Sequence, residues 1–160
     1  MDTPTNSIIF LDIDGVLCTQ PLWKPEIMAA DGYSEFNTAC VQNLNLLIKQ
    51  TGAGVILTSS RRMAKSVPEL QALLQRRGFQ GLVVGKVDDA TEPNGSSHAS
   101  EIAGWLLRHG EPAHYVILDD DSRLAELAGR YRRHWVRTAY HRGLDANALA
   151  EALLILQGSP

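Results

Sequence analysis

Three short stretches hold most of the groups in this chain that could do chemistry: Asp12-Ile13-Asp14-Gly15, Thr58-Ser59-Ser60-Arg61-Arg62 and Asp119-Asp120-Asp121. Residues two apart in an extended segment share a face, so the carboxylates of Asp12 and Asp14 can address one bound group, one as nucleophile and one as proton donor. A carboxylate that attacks a phosphoryl group forms an aspartyl phosphate. A second carboxylate beside the leaving oxygen can protonate it and then activate water for the second step. Gly15 permits a sharp turn immediately afterwards.

Like charges within about 4–6 Å raise one another's pKa, so clustered acids need an offset. A divalent cation is the natural one. These stretches offer only oxygen ligands, with neither Cys nor His, which favours Mg²⁺ over zinc or copper; Asp12, Asp119 and a substrate phosphate match its needs. A lone Asp after a strand is commonly a turn or cap residue. The functional reading therefore rests on the combination of two apolar runs that end in paired acids and a hydroxyl-rich run end between them in sequence. Ser59 has a rival role as the cap of the following helix.

The elements that must position these groups follow from hydrophobic spacing. Strands are expected at residues 7–12, 55–58, 82–84, 115–118 and 134–138, the first a continuous apolar run of the kind buried on both faces. Helical spacing recurs at Val41, Leu44, Leu47 and Ile48, stopped by Thr51-Gly52, and again at Leu70, Leu73 and Leu74 after Pro68. It returns at Ile102, Trp105 and Leu106, at Leu124, Leu127 and Ala128, and over residues 149–156, with a polar loop at 88–97. This alternation predicts a mainly parallel five-stranded α/β sheet with helices on both faces. Ligands of such sheets bind at the carboxyl ends of the strands, where all three stretches fall.

With 160 residues, 44% hydrophobic and 21% charged, the chain suits one ordinary domain over residues 1–160. No apolar run approaches the roughly 20 residues of a membrane span, and the N-terminus lacks a signal-peptide pattern, so a cytoplasmic protein without membrane contact is expected. Cys18 and Cys40 read as packed residues rather than a disulfide or a metal pair. A net charge of −3 gives no support to nonspecific nucleic-acid binding. Arg130, Arg132, Arg133, Arg137 and Arg142 nonetheless crowd one stretch with His134 and His141, forming either a phosphate-attracting patch or the charged guard of an edge strand.

Residues 8–17, an apolar strand followed by Asp-x-Asp-Gly-Val-Leu, resemble the first motif of the haloacid dehalogenase (HAD) superfamily. Val55-Ile56-Leu57-Thr58-Ser59 resembles its second and Tyr115-Val116-Ile117-Leu118-Asp119-Asp120 its fourth. The finer pattern, including Glu101-Ile102 before Trp105-Leu106, is similar to the small HAD domains associated with RNA-repair proteins. This resemblance implies a Rossmann-like doubly wound fold, Mg²⁺, and phosphoryl transfer through an aspartyl phosphate.

Carried over by position, Asp12 would be nucleophile and metal ligand, and Asp14 the general acid/base, lending its backbone carbonyl to the metal. Asp119 would complete the protein ligands and Asp120 would orient metal-bound water. Ser59 would bind a phosphoryl oxygen, with Thr58 its substitute if the strand ends one residue earlier. The third motif departs from the family's Lys or Arg, since Ser97-His98-Ala99-Ser100-Glu101 stands there. His98, Lys86 from the preceding loop, or Arg61 would have to supply the positive charge. Neither candidate insertion is long enough for a cap domain, and an open site suits a large phosphorylated substrate such as a nucleic-acid or nucleotide end. Trp23 could stack on a base or simply cover its own loop. The expectation is a capless HAD-type phosphomonoesterase, monomeric by default; the alternative is a catalytically weak or inactive module that binds phosphorylated ligands.

Overall fold

The computed structural model describes residues 6–19, 35–58, 65–87 and 98–158. Within them five strands run in the order β3-β2-β1-β4-β5: β1 (Ser7–Leu11), β2 (Gly54–Leu57), β3 (Val83–Lys86), β4 (His114–Asp119) and β5 (Trp135–Arg137). Every neighbouring pair is parallel, so the expected mainly parallel sheet is entirely parallel here. The central strand β1 is apolar because both of its faces are covered.

Side-chain alternation sorts the core into two layers. Ile9, Leu11, Val55, Leu57, Val116 and Leu118 pack with residues of α1 (Thr38–Thr51), α2 (Val67–Gln75) and α5 (Ala146–Gln157). Ile8, Phe10, Ile56, Tyr115 and Ile117 face the other way, against Ile102 and Leu106 of α3 (His98–His109) and against Leu124 and Tyr131. Helices thus cover both faces. The fold is Rossmann-like and doubly wound, and no cap domain is evident among the described residues.

Local chemistry sets the helix boundaries. Asn37 caps α1, its side chain accepting from Cys40 N–H, and Gly52 closes the helix at φ 70°. Ser66, not Ser59, caps α2, through a reciprocal box with Glu69. One expected helix is divided: Leu124 lies in a 3₁₀ turn (Ser122–Glu126), Leu127 and Ala128 are extended, and a short α4 (Gly129–Arg132) follows. Two buried leucines three apart suit a 3₁₀ turn as well as an α-helix, so the spacing did not separate them. The third strand also starts and ends later than its apolar run, at Val83–Lys86. No described helix is long and apolar enough to cross a membrane.

The loop after β5 folds back over the loop after β1. Leu144 N–H donates to Val16 O at 2.8 Å, the Asn43 side chain donates to Leu144 O at 2.9 Å, and the Cys40 thiol donates to Arg142 O at 3.5 Å. Gly143 makes this closure possible: it has φ 60°, and a Cβ there would collide with Val16 O and lie 2.7 Å from Thr19 Cγ2. Gly143→Ala should therefore lower unfolding stability by about 2 kcal/mol or more in urea titrations. A loss below about 0.5 kcal/mol would show that the loop relaxes without strain.

Candidate active site

Sheet register builds the site. Leu11 pairs with Leu57 on one side and with Leu118 on the other, so the next residues, Thr58, Asp12 and Asp119, form a row across three adjacent strand ends. Two backbone bonds fix the row: Thr58 N–H to Leu11 O at 2.9 Å and Asp12 N–H to Leu118 O at 3.1 Å. Strand order reverses between β1 and β4, the place where open α/β sheets bind ligands.

Asp12 and Asp119 are buried, at 4% and 0% exposure, and with Asp120 they offer carboxylate oxygens that lie within 4.8 Å of one another. This charge density has a visible effect. Burial first, and then the neighbouring Asp119, push the Asp120 carboxyl up to about 6. The donor set fits a hard divalent cation: three oxygens, no nitrogen or sulfur, closely spaced, with a charge excess that a cation would neutralise. Asp119 is further held by Asp121 N–H, which donates to its Oδ1 at 2.9 Å.

The loop after β1 is tightly wound. Ile13 O accepts from Leu17 N–H at 2.9 Å and Cys18 N–H at 3.0 Å, while Gly15 N–H donates to Cys18 O at 2.8 Å. Gly15 has φ 80°, and the Asp120 carboxylate rests against its α-carbon so closely that a Cβ would lie 2.6 and 2.8 Å from the two oxygens. The expected turn at Gly15 is present. It also makes room for an acid from β4. Asp14 is half-buried in this loop, outside the group formed by Asp12, Asp119 and Asp120.

The remaining expected residues are placed as follows. Strand β2 ends at Leu57, which puts Thr58 in the row beside Asp12; its hydroxyl is buried and makes no hydrogen bond among the described residues. Ser59, Arg61 and Trp23 lie outside the described residues, as does the 88–97 loop. His98 is the first residue of α3, and its side chain lies outside the described part. Lys86 belongs to strand β3 rather than to a loop, because β3 extends past its apolar residues; its ammonium donates to Lys65 O at 2.8 Å. The arginine cluster is divided by β5. Arg130, Arg132 and Arg133 precede that strand, with Arg132 donating to Ala125 O at 3.0 Å, whereas Arg137 ends it and Arg142 lies in the loop beyond.

Two residues in the site carried no expectation. Trp135 donates its indole N–H to Asp119 O at 3.0 Å, and Thr138 N–H reaches the same carbonyl at 3.2 Å. The Thr138 hydroxyl donates to Gly15 O at 2.6 Å. A signal was present in the sequence, since Thr138 is the polar residue at the carboxyl end of the fifth expected strand, the same position that marks Asp12, Thr58 and Asp119 on the other strands.

Asp119→Asn separates a metal pocket from a merely acidic one. Removing a buried negative charge should raise the melting temperature of the metal-free protein and weaken divalent-cation binding by about tenfold or more, as read by calorimetry. Unchanged cation affinity would remove Asp119 from the ligand set.

Residues 8–149 match the family model described as the HAD domain in Swiss Army Knife RNA repair proteins. No curated protein matches the chain. With the β1 and β4 acids adjoining at the strand-order reversal, and with the match spanning nearly the whole sequence, this chain belongs to the HAD superfamily, in the family of HAD domains of RNA-repair proteins.

Proposed function

We propose that the protein is a Mg²⁺-dependent phosphomonoesterase that works through an aspartyl phosphate on Asp12 and prefers nucleic-acid or nucleotide phosphate ends. The observation that carries this reading is the row Thr58, Asp12, Asp119, which sets a carboxylate between a buried hydroxyl and a second carboxylate. A phosphoryl group lying over Asp12 would meet a nucleophile, a hydrogen-bond donor and a metal site together.

In the first step the Asp12 carboxylate attacks phosphorus, the bond to the leaving oxygen breaks, and Asp14 gives that oxygen its proton. In the second, Asp14 takes a proton from water, whose oxygen attacks phosphorus and returns Asp12 as a free carboxylate. The Thr58 hydroxyl donates to a phosphoryl oxygen as charge develops, in the role also open to Ser59. Asp12, Asp119 and Asp120, with the Asp14 carbonyl, would hold the cation. Bound Mg²⁺ neutralises charge on the acids and on the phosphate. The remaining positive charge is left to His98, Arg61 or Lys86, the last standing at the end of β3 in register with Leu57. A cytoplasmic setting, with ample Mg²⁺ and reducing conditions for the buried free thiols Cys18 and Cys40, suits this chemistry.

The preference for a polymer end rests on the lack of a cap domain among the described residues and on Arg137. This exposed residue is paired in register with Asp119, and its guanidinium stands 5.9 Å from the Trp135 ring centroid. A cation beside the acid row can take the next phosphate of a nucleotide chain, while the tryptophan offers a flat face.

The direct test is hydrolysis of an aryl phosphate and of a 3′-phosphorylated oligonucleotide, with and without Mg²⁺. Turnover should require metal and fall by at least about 10³-fold in Asp12→Asn. Ligand binding without turnover above that variant would favour a noncatalytic phosphate-binding module, a reading supported by the lack of Lys or Arg in the first turn of α3. Arg137→Gln should raise KM for the oligonucleotide about fivefold or more and leave aryl phosphate hydrolysis within about twofold. Equal effects on the two substrates would end the polymer-end preference.

A further inference from the structure

We propose that Thr138 is a positioning residue that locks the loop carrying Asp14 onto the strand end carrying Asp119. This goes beyond the phosphatase reading but rests on it for its activity arm. Thr138 is buried at 4% exposure and is the first residue after β5. It serves two segments at once. Its N–H donates to Asp119 O at 3.2 Å and its hydroxyl to Gly15 O at 2.6 Å, across 123 positions of sequence.

The physical need lies at Gly15. A glycine at φ 80° has the freest backbone in the loop, and within that loop the plane of its carbonyl is tied by one long bond, Val16 N–H to Ile13 O at 3.2 Å. Turning that plane would move Asp14 on one side of the glycine. It would also disturb the α-carbon surface against which the Asp120 carboxylate rests, with 2.6 and 2.8 Å left for any added Cβ. The Thr138 hydroxyl adds a second, shorter bond that holds the plane, and its backbone bond references that hold to Asp119. Trp135 supports the same point, since its indole N–H reaches Asp119 O at 3.0 Å. Thr138 therefore joins the loop after β1 to the end of β4, adding to the register bond from Asp12 N–H to Leu118 O that already ties the two strands.

Shape and hydrogen bonding separate cleanly in the variants. Thr138→Val keeps the volume and removes the donor, leaving Gly15 O without this bond; Thr138→Ser keeps the donor and removes a methyl group. With the aryl phosphate, Thr138→Val should lower kcat about tenfold or more with KM changed less than about twofold, and Thr138→Ser should stay within about threefold of wild type. Mg²⁺ affinity, measured by calorimetry, should fall about tenfold in Thr138→Val and be retained in Thr138→Ser. Equal losses in the two variants, or a lower melting temperature in Thr138→Val with wild-type kcat and Mg²⁺ affinity, would overturn the proposal and leave Thr138 a packing residue. If wild type turned over no phosphate ester, the phosphatase reading would fail by itself; the Mg²⁺ affinities would then decide the role of Thr138, with equal affinities in wild type and Thr138→Val against it.

Discussion

The register that pairs Leu11 with both Leu57 and Leu118 is the constraint on which the candidate site depends. A shift of one residue on either side would turn Asp119 or Thr58 toward the opposite face and exchange core side chains between the two helix layers. The register is well guarded against that. Ile9, Phe10 and Leu11 are fully buried, and their neighbours on β2 and β4 are buried as well, so a slipped pairing would force misfitting side chains into two close-packed layers. The core therefore does more than stabilise the fold; it delivers three polar groups to one row.

That delivery sets carboxylates close together inside the protein. Burial and a like charge push Asp120 up, the response expected when acids share a poorly solvated site. Such an arrangement is unfavourable for an empty pocket and favourable for one that takes a cation and a phosphate. The surrounding backbone resists relaxation by other routes: Ile13 O gathers the loop after β1, Asp121 N–H holds Asp119, and Leu144 closes over Val16. Structural order in these loops thus maintains the electrostatic cost of the clustered acids.

Much of this was legible in the sequence, for reasons that differ by residue. The strands were readable because β1, β2 and β4 are buried on both faces and so are continuous apolar runs, and the acids at their ends stand out against that background. Edge elements were harder. In β3, Gly85 and Lys86 are not apolar, so the strand outruns its signal and Lys86 reads as loop. Leu124 and Leu127 satisfied a helical spacing that a 3₁₀ turn followed by extended residues satisfies as well. Ser59 was a reasonable cap on composition, yet Ser66 has Glu69 three residues on and Pro68 between, which is the stronger signature. The arginines crowd one stretch of sequence, which the fold divides among α4, the end of β5 and the loop beyond it. Thr138 was legible as a polar strand end, but its role was not. Its partner is a backbone carbonyl 123 positions away, and no local pattern announces such a contact.

The central claim is that Asp12 becomes phosphorylated, and trapping that acyl phosphate tests it most directly. Wild-type protein turning over an aryl phosphate with Mg²⁺ would be quenched, reduced with borohydride, which converts an aspartyl phosphate to homoserine, and digested for mass spectrometry. The account predicts homoserine at position 12, dependent on substrate and absent in Asp12→Asn. Sustained turnover with aspartate intact at position 12, or with the reduced residue elsewhere in the chain, would contradict it.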